Sequence, residues 1–127
     1  GMQPYKTLEW QDLVDDFYPN LLDWSSQNVV AAGHYYGVHC ARVEDDKDCE
    51  AFELTAPVPY NEVGSVQFNE CGDLIAVGTS KGLVQIWDVQ SRKMISKFDG
   101  SSGKVGCIAW NGNIVCAGDS SGLVVIY

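Results

Sequence analysis

The chain has 127 residues, enough for one core of ordinary size and short for two large domains. Eight basic against 17 acidic residues give a formal charge of -9, which repels phosphate backbones and anionic lipid heads, so neither nucleic acid nor membrane is expected as a partner. With 46% hydrophobic and 20% charged residues, the composition is that of a folded protein and not a disordered one. Cys40, Cys49, Cys71, Cys107 and Cys116 are odd in number. None has the roughly two-to-four-residue spacing of zinc ligands, so reduced thiols are expected. The first residues lack the apolar region of a signal peptide, and no apolar run approaches the ~20 residues of a membrane span, which points to a soluble intracellular protein.

Near the N-terminus, Trp10, Leu13, Val14 and Phe17 would share one helical face, yet no long segment of the chain sustains a 3.6-residue period. From about residue 20 a repeat takes over. Leu22-Asp23-Trp24 leads to Val29-Val30-Ala31-Ala32-Gly33, Val66-Gln67-Phe68 to Leu74-Ile75-Ala76-Val77-Gly78, and Ile108-Ala109-Trp110 to Ile114-Val115-Cys116-Ala117-Gly118. A third run follows each pair, opened by Gly37, Gly82 and Gly122, glycines 45 and then 40 residues apart. That is the period of one four-stranded blade, and the β-branched and aromatic enrichment makes the fold all-β. Fourth strands are expected near Ala51-Phe52-Glu53-Leu54 and Met94-Ile95-Ser96-Lys97-Phe98, while in the third copy the chain ends first. The blades then occupy about 20–56, 63–99 and 104–127. Asn111-Gly112 between two runs predicts a type I′ hairpin, in which both central residues need positive φ. The glycines that close the second strands and open the third predict tight turns at the blade rim.

Gly82-Leu83-Val84-Gln85-Ile86-Trp87-Asp88 resembles the signature of WD-repeat β-propellers. The run from Asp15 to Val29, centred on Leu22-Asp23-Trp24-Ser25-Ser26, resembles more narrowly the lead into the first blade of the Fizzy-type co-activators of the anaphase-promoting complex. Ala76-Val77-Gly78-Thr79-Ser80 and Lys104-Val105-Gly106-Cys107-Ile108-Ala109-Trp110-Asn111 resemble their second and third blades. The resemblance implies a fragment of a propeller of about seven blades, with two full blades and three strands of another, and residues 1–19 as an extended segment leading into it. Several positions depart from the WD pattern. Lys81-Gly82 and Ser121-Gly122 lack the usual Asp, no Gly-His precedes a first strand, and Gly37-Val38-His39-Cys40-Ala41-Arg42 replaces an apolar strand ending in Trp. The usual buried Asp-His-Ser/Thr-Trp network is therefore not expected, and apolar packing must carry more of the stability.

By the same resemblance the function is that of a substrate adaptor of a cell-cycle ubiquitin ligase, capturing degrons without catalysis. Asp16 would receive the arginine of a destruction box and Asp23 would help hold a KEN-type motif. A carboxylate accepts bidentate bonds from Arg and charge-assisted ones from Lys. The plainer reading of both residues is a cap at a strand start. The implied partners are degron-bearing proteins and the anaphase-promoting complex, the latter through an N-terminal box and a C-terminal Ile-Arg tail outside these residues. The location would be nucleus and cytoplasm. Open blade edges would favour self-association. The competing function is a structural WD-repeat scaffold that mediates assembly without degron binding. No cofactor or metal is expected: Glu44-Asp45-Asp46-Lys47-Asp48 has no calcium-loop order, and His34 and His39 have no Cys or Ser partner at a familiar spacing and are expected at the surface or the rim.

Overall fold

The structure is a computed structural model that describes residues 21–35, 37–44, 50–55, 61–99 and 103–127. The N-terminal segment with Asp16, and most of the acidic run, lie outside the described residues. Eleven strands make up the regular structure of the described residues. β1 (Leu22–Trp24), β2 (Val29–His34), β3 (Gly37–Arg42) and β4 (Glu50–Thr55) form one antiparallel sheet in chain order. β5 (Val63–Phe68), β6 (Leu74–Thr79), β7 (Leu83–Asp88) and β8 (Lys93–Asp99) form the second, and β9 (Val105–Asn111), β10 (Ile114–Asp119) and β11 (Val124–Ile126) the third. These are two complete blades and three strands of another, with both fourth strands where the repeat put them. β5 packs against both β1 and β9, so the first strands of the blades line the inner edge.

Alternation along each strand gives every blade two faces, and the blades stack face to face. Val29, Ala31, Val38, Cys40 and Leu54 of blade one close on Val66, Phe68, Ile75, Val77 and Trp87 of blade two, all nearly inaccessible to water. The opposite face of blade two, with Ala76, Val84 and Ile86, closes on Val105, Ile108, Val115 and Ala117 of blade three. At roughly 1.5–3 kcal/mol for each large side chain buried, these two interfaces are the main apolar source of stability. Hydrogen bonds cross them too. The Ser65 hydroxyl donates to the Val105 carbonyl at 2.8 Å, and Trp110 Nε1 donates to the Gln67 carbonyl at 3.0 Å.

Three local expectations are corrected. Gly78, which closes β6, is in ordinary strand conformation, and a Cβ there would stand 2.5 Å from both Ser65 Oγ and Val105 Cγ1. It is needed because the next blade approaches so closely, not because the chain turns. Of the strand-opening glycines, Gly82 and Gly122 do turn, with φ of 87° and 89°, strained for any side chain, whereas Gly37 has no positive φ and is a ladder residue paired with His34. Asn111 pairs with Ile114 and is the last ladder residue, leaving Gly112-Asn113 as the loop. Only Gly112 there has positive φ, at 58°, the pattern of a type II′ turn and not type I′.

The buried WD network is replaced rather than merely lost. Trp87 Nε1 donates to Gln85 Oε1 at 3.1 Å, and Thr79 Oγ1 accepts the Leu83 amide at 3.0 Å. The three aromatic landmarks of the repeat also differ in environment. Phe68 is 4% exposed against blade one and Trp110 is half-buried against blade two, whereas Trp24 is 60% exposed. Trp24 lies on the corresponding face of blade one, the face turned away from blade two.

Candidate functional site

Asp23 is the sequence-proposed site residue that the structure describes. It pairs with Ala31 in the ladder, so its side chain shares Ala31's face and points toward blade two. Asp23 Oδ2 accepts the Phe68 backbone N–H at 2.7 Å. One carboxylate oxygen is thus occupied in bracing the inner strands of two blades. On the same side of the blades, Ser26 Oγ donates to the Glu70 carbonyl and Gln27 Nε2 to the Cys71 carbonyl, tying the first hairpin of blade one to that of blade two. Asp16 lies outside the described residues.

A narrow cleft, with room for little more than a water molecule, opens between blades one and two, lined by Gly37, Leu54, Asn61, Thr79, Gln85 and Trp87 among others. Gln85 is 1% exposed, and its Nε2 has no hydrogen-bond partner among the described residues. Its Oε1 is engaged by Trp87, so one end of the buried amide is held and the other is not.

The two histidines, expected at the surface or the rim, come together with a carboxylate. His34 Nε2 is 2.7 Å from Glu53 Oε1, and the His34 and His39 rings stack at 3.9 Å between centroids. This cluster was hidden in the sequence because its members are on three different strands. Only the ladder, which sets His39 opposite both Ala32 and Glu53, brings them to one face. Cys40, one residue along, points the other way into the core, where burial pushes its thiol up to about 12. Cys40, Cys71, Cys107 and Cys116 are all free thiols.

Residues 22–124 match the family described as the anaphase-promoting complex subunit 4 WD40 domain. The chain belongs to that family. Its blades are therefore WD-repeat blades, and the similarity to individual relatives runs through nearly the whole chain. It is 37% identical over 93% of its length to anaphase-promoting complex subunit cdc20 of Dictyostelium discoideum, of which it spans 23%. To the B-type cell cycle switch protein ccs52B of Medicago truncatula it is 39% identical over 91%, spanning 23% of that protein. To meiotic fizzy-related protein 1 of Schizosaccharomyces pombe it is 34% identical over 96%, spanning 28%. The chain thus spans about a quarter of the length of these relatives. It superposes on a chain of the crystal structure of the mitotic checkpoint complex with a TM-score of 0.91 and 31% identity, over 99% of its own length and 38% of that chain. The C-terminal WD40 domain of Sif2, at TM-score 0.70 and 16% identity, shares the fold alone.

Proposed function

We propose that this chain is part of a substrate adaptor of a cell-cycle ubiquitin ligase, which captures short degron motifs on its propeller and catalyses nothing itself. The observation that carries the reading is the continuous similarity to proteins named as anaphase-promoting complex subunits and fizzy-related proteins, over 91% to 96% of the chain. The superposition on the mitotic checkpoint complex supports it. In this reading Asp16 and Asp23 receive basic degron residues, with the free lone pairs of Asp23 accepting from a Lys ammonium while Oδ2 keeps the Phe68 amide. The partners are degron-bearing proteins and the ligase, in nucleus and cytoplasm.

The Asp23–Phe68 bond also favours a second reading, in which the residue only braces two blades of an assembly scaffold. Fluorescence anisotropy with labelled destruction-box and KEN peptides separates the two. Adaptor function predicts binding weakened by Asp16→Ala for the first peptide and by Asp23→Asn for the second, with thermal stability retained. Asparagine preserves an acceptor for the Phe68 amide, so a loss of binding cannot be blamed on a lost brace. Binding that neither variant changes, or no binding above a scrambled peptide, rejects the assignment.

A further inference from the structure

Gln85 on β7 turns its side chain toward blade one, because it pairs in the ladder with Val77, and Val77 belongs to the core between the two blades. Only 1% of the residue is exposed. Trp87 fixes which way the amide lies: an indole Nε1 can only donate, so the atom that faces it at 3.1 Å is Oε1. Nε2 is therefore turned away from the indole, buried, and without a hydrogen-bond partner among the described residues. A buried N–H left unpaired forfeits the bond it had in water, and native folds supply almost every such donor with an acceptor.

The surroundings narrow what that acceptor is. Gln85 lines the cleft between the blades with Asn61, Thr79 and Trp87, and Gly37 and Leu54 of blade one form the opposite wall. Both walls belong to blades that meet inside this chain. The space left there for the centre of a water molecule is about 10 Å³. That is close to the lower limit of about 10–15 Å³ for one water and too little for any larger molecule. The unpaired group is a donor, so it repels a cation and calls for an oxygen lone pair. Thr79 Oγ1 accepts the Leu83 amide at 3.0 Å, which leaves its hydroxyl a proton and a second lone pair. Asn61 Oδ1 accepts the Lys81 amide at 3.0 Å and so ties the segment before β5 to the turn between β6 and β7. Blade three has Val125 at the register position of Gln85, an apolar side chain that needs no such partner.

We propose that one water molecule is built into the interface of blades one and two, accepting from Gln85 Nε2 and bonded to Thr79 Oγ1 and Asn61. Gln85 and Thr79 are diagonal neighbours on one face of the β6–β7 pair, since Val77 lies opposite Gln85. Such residues stand about 7–8 Å apart at the backbone. Two hydrogen bonds through a water oxygen span about 5.5 Å, which suits that separation better than a direct bond. The water would stand in for the Asp and His that the WD pattern lacks here, joining β6, β7 and the Asn61 segment. Blade one closes over it through Gly37 and Leu54, so its escape requires the two blades to part.

The test is a crystal structure of the whole 127-residue chain and of its Gln85→Met variant, each refined with solvent, together with water-selective NMR on the ¹⁵N-labelled chains. The parent should show one density peak within about 3.2 Å of Gln85 Nε2. The variant should lose it, because methionine is similar in length and offers no donor. In solution the Gln85 side-chain amide protons should give a rotating-frame cross-peak to water with the sign of dipolar contact, opposite to that of chemical exchange. Nε2 turned onto a protein carbonyl, no density beside it, no dipolar contact in solution, or a water that stays in Gln85→Met would each overturn the proposal. Should Gln85→Met fail to fold, the density and the cross-peak of the parent still decide.

Discussion

Adding one methyl group at Gly78 tests how tightly the blades are stacked. The backbone there accepts alanine, so the cost of Gly78→Ala is steric. Its Cβ would meet Ser65 Oγ and Val105 Cγ1 at 2.5 Å and Val105 Cβ at 2.8 Å, and Val105 is held in the core of the next blade. Overpacking of this kind costs about 1–3 kcal/mol. If Ser65 swings aside, its 2.8 Å bond to the Val105 carbonyl is lost in a buried site, adding about 1–3 kcal/mol. A destabilisation of about 3 kcal/mol follows, or roughly 10–15 °C in melting temperature for a chain of this size. Circular dichroism melts and urea midpoints would measure it, with Gly106→Ala as control because nothing lies within 4 Å of a Cβ there. That control should be neutral or slightly stabilising, by less than about 1 kcal/mol. Adding Ser65→Ala to Gly78→Ala removes one of the two clashes, and a coupling of about 1 kcal/mol is expected. A folded Gly78→Ala variant within about 0.5 kcal/mol of the parent would refute the claim that close blade approach selects glycine here.

Further expectations concern single groups. Asp23→Ala should cost about 1–2 kcal/mol by orphaning the Phe68 amide, while Asp23→Asn stays within about 0.5 kcal/mol; equal losses in urea titrations would show that charge, not the acceptor, matters. Cys40, pushed up to about 12 by burial, stays a thiol in the folded chain while the unfolded thiol ionises near about 8.5, so its contribution to stability is full below about pH 8.5 and is lost as pH rises toward 12. At pH 8 a thiol reagent should label Cys71 and Cys107 quickly and Cys40 only on unfolding; native-state labelling of Cys40 at the rate of Cys71 would contradict this. Ile114, Val124 and Ile126, 53%, 63% and 71% exposed, share the face of blade three turned from blade two, and Leu22 and Trp24 are exposed on the opposite end of the stack. Two different faces that complement each other associate head to tail. Light scattering of the isolated chain should show concentration-dependent association that Val124→Lys reduces, and a monomer at every concentration would rule it out.

Much of this was legible in the sequence for a simple reason. A blade repeats the same local physics, so Gly82 and Gly122, the apolar runs and the turn residues recur in register, and three copies reinforce one another. The all-β fold and the strand count rest on that local signal, and the family resemblance on particular runs, Leu22-Asp23-Trp24-Ser25-Ser26 and Gly82 to Asp88 among them. What the alternation could not say was which face meets which neighbour. Gly78 reads as a turn glycine until Val105 of the next blade is seen against it, and Asn111 reads as a turn residue until the ladder claims it. Phe68 and Trp110 are equivalent in sequence, yet stacking against the preceding blade buries them to different depths. The charge of -9 argued against classes of partner, but gave no carboxylate a role: stacking sets Asp23 on the Phe68 amide, and strand pairing draws Glu53 to His34 and His39. Sequence determines each strand because its forces are local; the sites join residues far apart in the chain, which only the tertiary arrangement can bring together.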